Sequence, residues 1–156
     1  ALYFEPDIGV WVGTGSGLNL IENLAVTASY TTSDGLSHNV VHSIASDPQH
    51  NLWIGTDAGL TLKHGNLWMS FAGEGLPDDH IRAVAVDSDN VVWVGTDAGI
   101  ANRRTGTWHA LTPEQNLSGW RATSLATASD GSMFCGTDDG ARIVGPAQAA
   151  AAEGVS

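Results

Sequence analysis

One four-residue motif recurs at nearly constant spacing along this chain. It appears as Trp11-Val12-Gly13-Thr14, Trp53-Ile54-Gly55-Thr56, Trp93-Val94-Gly95-Thr96 and Phe134-Cys135-Gly136-Thr137, 42, 40 and 41 residues apart. A fixed period of this length means stacked copies of one small unit, each unable to bury its apolar face alone. The match extends both ways. Gly35-Leu36-Ser37, Gly75-Leu76-Pro77 and Asn116-Leu117-Ser118 each lie 18 residues upstream of the motif. Downstream, Asp57-Ala58-Gly59-Leu60 returns as Asp97-Ala98-Gly99-Ile100 and Asp138-Asp139-Gly140-Ala141, whereas the first copy has lost the Asp.

One copy reads as four short strands. Val40 to Ala45 is a β-rich run, and Asp47 to Asn51 is a turn set by Asp and Pro, with Asn51 suited to left-handed backbone. Leu52 to Gly55, Leu60 to Lys63 and Leu67 to Ala72 supply three more strands, separated by Asp57-Ala58-Gly59 and His64-Gly65-Asn66. Four antiparallel strands per roughly 40 residues is the period of a propeller blade. The expectation is therefore an all-β propeller of about four four-stranded blades. Their approximate bounds are 1–34, 35–74, 75–115 and 116–145, followed by an Ala-rich tail at 146–156 in which Ala149 to Ala152 could form a short helix. The chain opens inside a first strand and stops after the third strand of the last copy. Either the ring closes at four, or two chains share a larger ring, or the sequence is part of a longer protein. An unpaired blade edge is a liability, so the last blade should be completed by the tail, a second chain or further residues.

The blade motif resembles the two-component regulator propeller repeat: Gly-Leu-Pro/Ser, Asp at the turn, then Trp-Ile/Val-Gly-Thr-Asp-x-Gly. The resemblance covers about residues 1–144 and is strongest in the second and third copies. It implies the fold, and a place in the periplasmic or extracellular sensor portion of membrane-bound histidine kinases.

Composition narrows the partners. Seventeen Asp and Glu against six Lys and Arg give a net charge of −11, which disfavours nucleic acid and anionic membrane. No apolar run is long enough to span a membrane. The absence of an initial Met and of a signal peptide suggests a processed chain or a fragment. The single cysteine, Cys135, stands where other copies carry Ile or Val and reads as a small buried hydrophobe.

Trp11, Trp53 and Trp93 are expected to pack between blades, and Trp68 and Trp108 to pack, partly exposed, on outer strands. Function on a repeat scaffold belongs where the scaffold varies. The loops entering each innermost strand carry His38 and Asn39, then Asp79 and His80, then Trp120 and Arg121. The opposing turns carry Asp57, Asp97 and Asp138. Together these could form a channel mouth for a small polar ligand such as a sugar. Ordinary loop tips and Asp-capped turns are the competing explanation. Asp87-Ser88-Asp89-Asn90 looks like the start of a calcium loop but lacks its Gly and distal Glu, and the six histidines show no ligand spacing. No metal, cofactor or catalytic residue is expected. The leading function is a non-catalytic ligand-binding or sensory module. The alternatives are an interaction scaffold, including a homodimer that completes the ring, and a channel-type lyase or hydrolase.

Overall fold

A computed structural model describes residues 1–111 and 120–145. The repeat landmark Asn116-Leu117-Ser118, residues 118 and 119 of the 118–121 entering loop, and the Ala-rich tail at 146–156 lie outside the described residues. Every described element is a strand. Blade 1 contains β1 (Leu2–Glu5), β2 (Gly9–Gly13), β3 (Leu18–Glu22) and β4 (Ala25–Tyr30); blade 2 contains β5 (Val41–Ser46), β6 (Leu52–Thr56), β7 (Gly59–His64) and β8 (Leu67–Phe71). Blade 3 contains β9 (Ile81–Val86), β10 (Val92–Thr96), β11 (Gly99–Arg103) and β12 (Trp108–Ala110); blade 4 contains β13 (Ala122–Thr127), β14 (Met133–Thr137) and β15 (Gly140–Val144). Each blade is a meander with its strands in sequence order, all antiparallel. β1 is paired along β2, so the opening residues complete the first blade.

The alternation of a strand puts one set of side chains on each face of a blade. Leu52 and Ile54 of blade 2 face back onto Trp11 and Leu18 of blade 1. Trp53 and Leu60 of the same blade face forward onto Val92, Val94 and Ala101 of blade 3. Trp93 and Ile100 face forward onto Met133, Cys135 and Val144 of blade 4. The core is thus three seams, each joining the trailing face of one blade to the leading face of the next. The motif glycine serves these seams by leaving room. A Cβ on Gly55 would stand 2.7 Å from Ile81 Cγ2, and one on Gly95 would stand 2.8 Å from Ala122 Cβ, each at the start of the next innermost strand.

The motif tryptophan is held by a carboxylate six residues before it. Trp11 Nε1 donates to Glu5 Oε2 at 2.7 Å, Trp53 Nε1 to Asp47 Oδ2 at 3.2 Å and Trp93 Nε1 to Asp87 Oδ2 at 2.9 Å. Asp87 also accepts the backbone N–H groups of Asp89 and Val91 on Oδ1, so its calcium-loop resemblance is explained as a turn cap. In the fourth copy Phe134 has no N–H to donate, and the carboxylate position is Ala128.

Cations plug two seams. Lys63 Nζ lies 5.4–5.6 Å from the ring centres of Trp11, Tyr30 and Trp68. Arg103, at the same repeat position, lies 4.9–5.9 Å from those of Trp53, Phe71 and Trp108. Burial lowers the pKa of Lys63. Each plug is worth about 0.5–2 kcal/mol.

Two local expectations are corrected. Trp108 is buried rather than partly exposed, because its ring stands edge-on to both Trp53 and Phe71. In the Asp47–Asn51 turn the left-handed residue is His50 (φ 60°), not Asn51; in blade 3 the matching residue is Asn90 (φ 63°). Asn51 instead uses its N–H and side-chain amide to bond Asp47.

Candidate functional site at the propeller axis

The innermost strands β5, β9 and β13 lie side by side. Each pairs with its neighbour through a bulge at its second residue. The register steps from Val41↔Thr56 to Ser43↔Gly55, from Ile81↔Thr96 to Ala83↔Gly95, and from Ala122↔Thr137 to Ser124↔Gly136. His42, Arg82 and Thr123 are the extra residues. A bulge takes one side chain out of the ladder and re-aims it, and here it frees one residue per blade on the innermost strands.

Two of these residues build a charged network across three blades. His42 Nε2 lies 2.5 Å from Asp57 Oδ1, on the β6–β7 turn of its own blade. Arg82 Nη1 reaches His42 Nε2 at 3.3 Å and stands 3.8 Å from Asp57 Oδ1. Arg82 also grips Asp97, on the β10–β11 turn, through Nε and Nη2 at 2.8 Å each. Arg121, entering blade 4, donates from Nε to Asp97 Oδ1 at 2.9 Å. The Arg82 hydrogen bonds hold the Asp97 carboxyl down at about 2, and the bond to His42 lowers Asp57. Asp97 in turn raises Arg82. The side chains of His42, Asp57, Arg82 and Asp97 are 21–33% exposed, so the network is reachable from solvent.

Of the residues expected at the mouth, Asp57, Asp97 and Arg121 enter this network. The others are placed nearby with different partners. His38 Nδ1 accepts the N–H of Val40, Asn39 Oδ1 accepts that of Thr32 and Asp79 Oδ1 that of Gly73, so all three brace their own loops. His80 pairs with Asp78 at 2.9 Å. Asp138 donates its backbone N–H to the Arg121 carbonyl. Trp120 is covered on one face by the Arg142 guanidinium, whose Cζ lies 3.5 Å from the ring centre. Sequence reasoning missed His42 and Arg82. The aligned column His42/Arg82/Thr123 was the available signal, since its chemistry varies directly after the regular apolar column Val41/Ile81/Ala122.

Among the described residues no group of three or more His, Cys, Asp or Glu is placed to hold a metal ion. A groove of about 240 Å³ lies at the far end of the blade 2–blade 3 seam, lined by polar residues that include Gln49, Asn51, Asn90 and Arg103. The strands separate it from the axial network, which is an open rim rather than a cavity.

Comparison with known proteins fits this architecture. The two-component regulator propeller family matches residues 35–58 and 75–98, the two most regular motif regions. The two matches fall within blades 2 and 3. No curated protein matches the sequence significantly. Solved structures similar to the regulator blades include the extracellular domain of BT4673 from B. thetaiotaomicron, assigned to a hybrid two component system (TM-score 0.75, 19% identity, 91% of this chain and 20% of that one). Another is the extracellular domain of BT3049 from the same organism, also assigned to a hybrid two component system (TM-score 0.58, 21% identity, 97% and 28%). The blades also superpose on a streptogramin B lyase (TM-score 0.69, 12% identity, 97% and 56%). At these identities the likeness shows the propeller fold. The chain spans between a fifth and three tenths of the two extracellular domains. No described helix is long and apolar enough to cross a membrane.

Proposed function

We propose that these regulator blades belong to the extracellular or periplasmic sensing portion of a two-component system, and that they bind a small neutral polar ligand, a sugar or polyol, without catalysis. The observation supporting the site is the axial network, in which three successive blades contribute His42, Asp57, Arg82, Asp97 and Arg121 to one solvent-reachable rim. The rim sets two arginines and a histidine against two aspartates. The rim therefore offers donors and acceptors together, and Asp78 and Asp79 nearby discourage anions. A ligand bridging three blades would also couple their relative positions, which is what a sensor module needs. The blade family and the extracellular domains it resembles support the signalling context.

The test is calorimetric titration of the chain with a panel of mono- and oligosaccharides, alongside His42→Ala, Asp57→Ala and Gln49→Ala. Binding to the parent, weakened at least tenfold in the first two variants and unchanged in the third, supports the axial site. Equal loss in Gln49→Ala moves the site to the far groove. No binding by any sugar overturns the ligand reading.

A further inference from the structure

The groove at the far end of the blade 2–blade 3 seam encloses about 240 Å³. Two guanidinium groups, those of Arg103 and Arg104, line it against one carboxylate, that of Asp47. That carboxylate is already saturated. Asp47 Oδ1 accepts the backbone N–H groups of Gln49 and Asn51, and Oδ2 accepts the Asn51 side-chain amide and Trp53 Nε1. The lining residues therefore carry an excess of positive charge, in a chain whose net charge is −11.

The repeat shows that this is not a general property of seams. Between blades 1 and 2, Asp7, Lys63 and His64 stand where the middle seam has Gln49, Arg103 and Arg104. Between blades 3 and 4 the same positions hold Asp89, Val144 and Gly145. The middle seam alone replaces the acid by an amide and sets two arginines in a row. Variation confined to one copy is where a repeat scaffold places function. Both walls of the groove are also held in position. Asn90 Nδ2 donates to Gln49 Oε1 at 3.0 Å from one blade to the other, so the Gln49 amide presents its NH2 end as a donor. Arg103 Nε donates to the Gly106 carbonyl at 3.1 Å, and its guanidinium lies over the rings of Trp53, Phe71 and Trp108. A donor fixed before the ligand arrives loses less freedom on binding.

We propose that this groove is a second ligand site, and that it takes a small hydroxylated carboxylate such as a sugar acid. A guanidinium is the donor fork that matches a carboxylate in geometry. Each carries several N–H donors, so an anion can be added to the protein contacts it already makes. The amides of Gln49 and Asn90 can exchange hydrogen bonds with hydroxyl groups, and Leu62 and Val92 offer an apolar wall. The volume lies below the about 300–1,000 Å³ of sites for drug-sized molecules, which suits a ligand of a single sugar ring. The site is independent of the axial rim, which lies at the opposite end of the strands.

The test is calorimetric titration with D-glucuronate, its methyl ester and acetate, with far-UV circular dichroism as the folding control. All titrations use the His42→Ala chain, so that a sugar held at the axis does not contribute. Glucuronate is expected to bind, and the uncharged ester and acetate each at least tenfold more weakly. Adding Arg104→Gln or Arg103→Lys should weaken glucuronate at least tenfold; the lysine keeps a cation over the rings and loses only the fork. If Arg103→Lys unfolds the chain, Arg104→Gln, at an exposed position, carries the test. Absence of glucuronate binding, or unchanged binding in Arg104→Gln, overturns the proposal. So does an ester or acetate that binds as tightly as glucuronate, the first removing the carboxylate and the second the sugar from recognition. Loss in Arg121→Gln with retention in Arg104→Gln would place the anion at the axis and overturns it too.

Discussion

Asp87 receives the indole N–H of Trp93 from six residues away, across the turn that Asp87 itself caps, at 2.9 Å. Both residues are buried, at 8% and 1% exposure. One carboxylate therefore fixes a hairpin and orients the ring that fills the next seam.

The fourth copy contains the natural double replacement, Ala128 with Phe134. Asp87→Ala alone should destabilise the chain by about 1–3 kcal/mol, because it strands a buried donor and uncaps a turn. Trp93→Phe in the Asp87→Ala background should cost less than in the parent, because the stranded N–H is gone. Urea melts of the four species measure the coupling, and strict additivity would show that the pair does not act together.

Asn102 occupies the position that is Leu20 and Leu62 in the first two blades. It is fully buried, and neither atom of its amide finds a hydrogen bond. Asn102→Leu should therefore stabilise the chain by about 1–3 kcal/mol. A lower melting temperature for the variant would show that the amide has a partner the seam depends on.

Acid should loosen the axis. The pKa of Asp97 is lowered from 3.8 to about 2, mainly by Arg82. A carboxyl depressed in the folded state contributes stability that is complete above its unfolded value and disappears as pH falls through its folded value. Stability should thus decline between about pH 4 and pH 2, and Arg82→Met should flatten that part of the profile. Asp97 is 30% exposed, so solvent screening keeps the effect modest. Parallel pH profiles for parent and variant would remove Arg82 from this role.

Burial pushes the Cys135 thiol up to about 11. At pH 8 it should resist a thiol-specific chromogenic reagent in native buffer and react within seconds in denaturant. Rapid native labelling would mean that the seam between blades 3 and 4 opens readily.

Seam chemistry was legible from the repeat, since the Trp and Gly columns recur where blades must touch. Asp57, Asp97 and Arg121 were also legible, as variable residues at loop positions. His42 and Arg82 were not, because a bulge exists only in the pairing of two strands, and each residue read alone sits inside an ordinary β run. The plugs at Lys63 and Arg103 were hidden for a similar reason, as their aromatic partners come mostly from the preceding blade. Trp108 was misjudged because an outer strand was equated with exposure, whereas Phe71 and Trp53 close over it.

The seams also bear on how such a chain can change size. Every seam joins unlike faces in the same order, so a whole 40-residue unit can be duplicated or lost within the gene without creating a new kind of junction. The residues flanking an inserted blade already match it, much as a link can be added to a chain without recutting its neighbours. Circumference can thus vary by whole units, while a bulge like those at the heads of blades 2, 3 and 4 still delivers one freely chosen side chain to the centre.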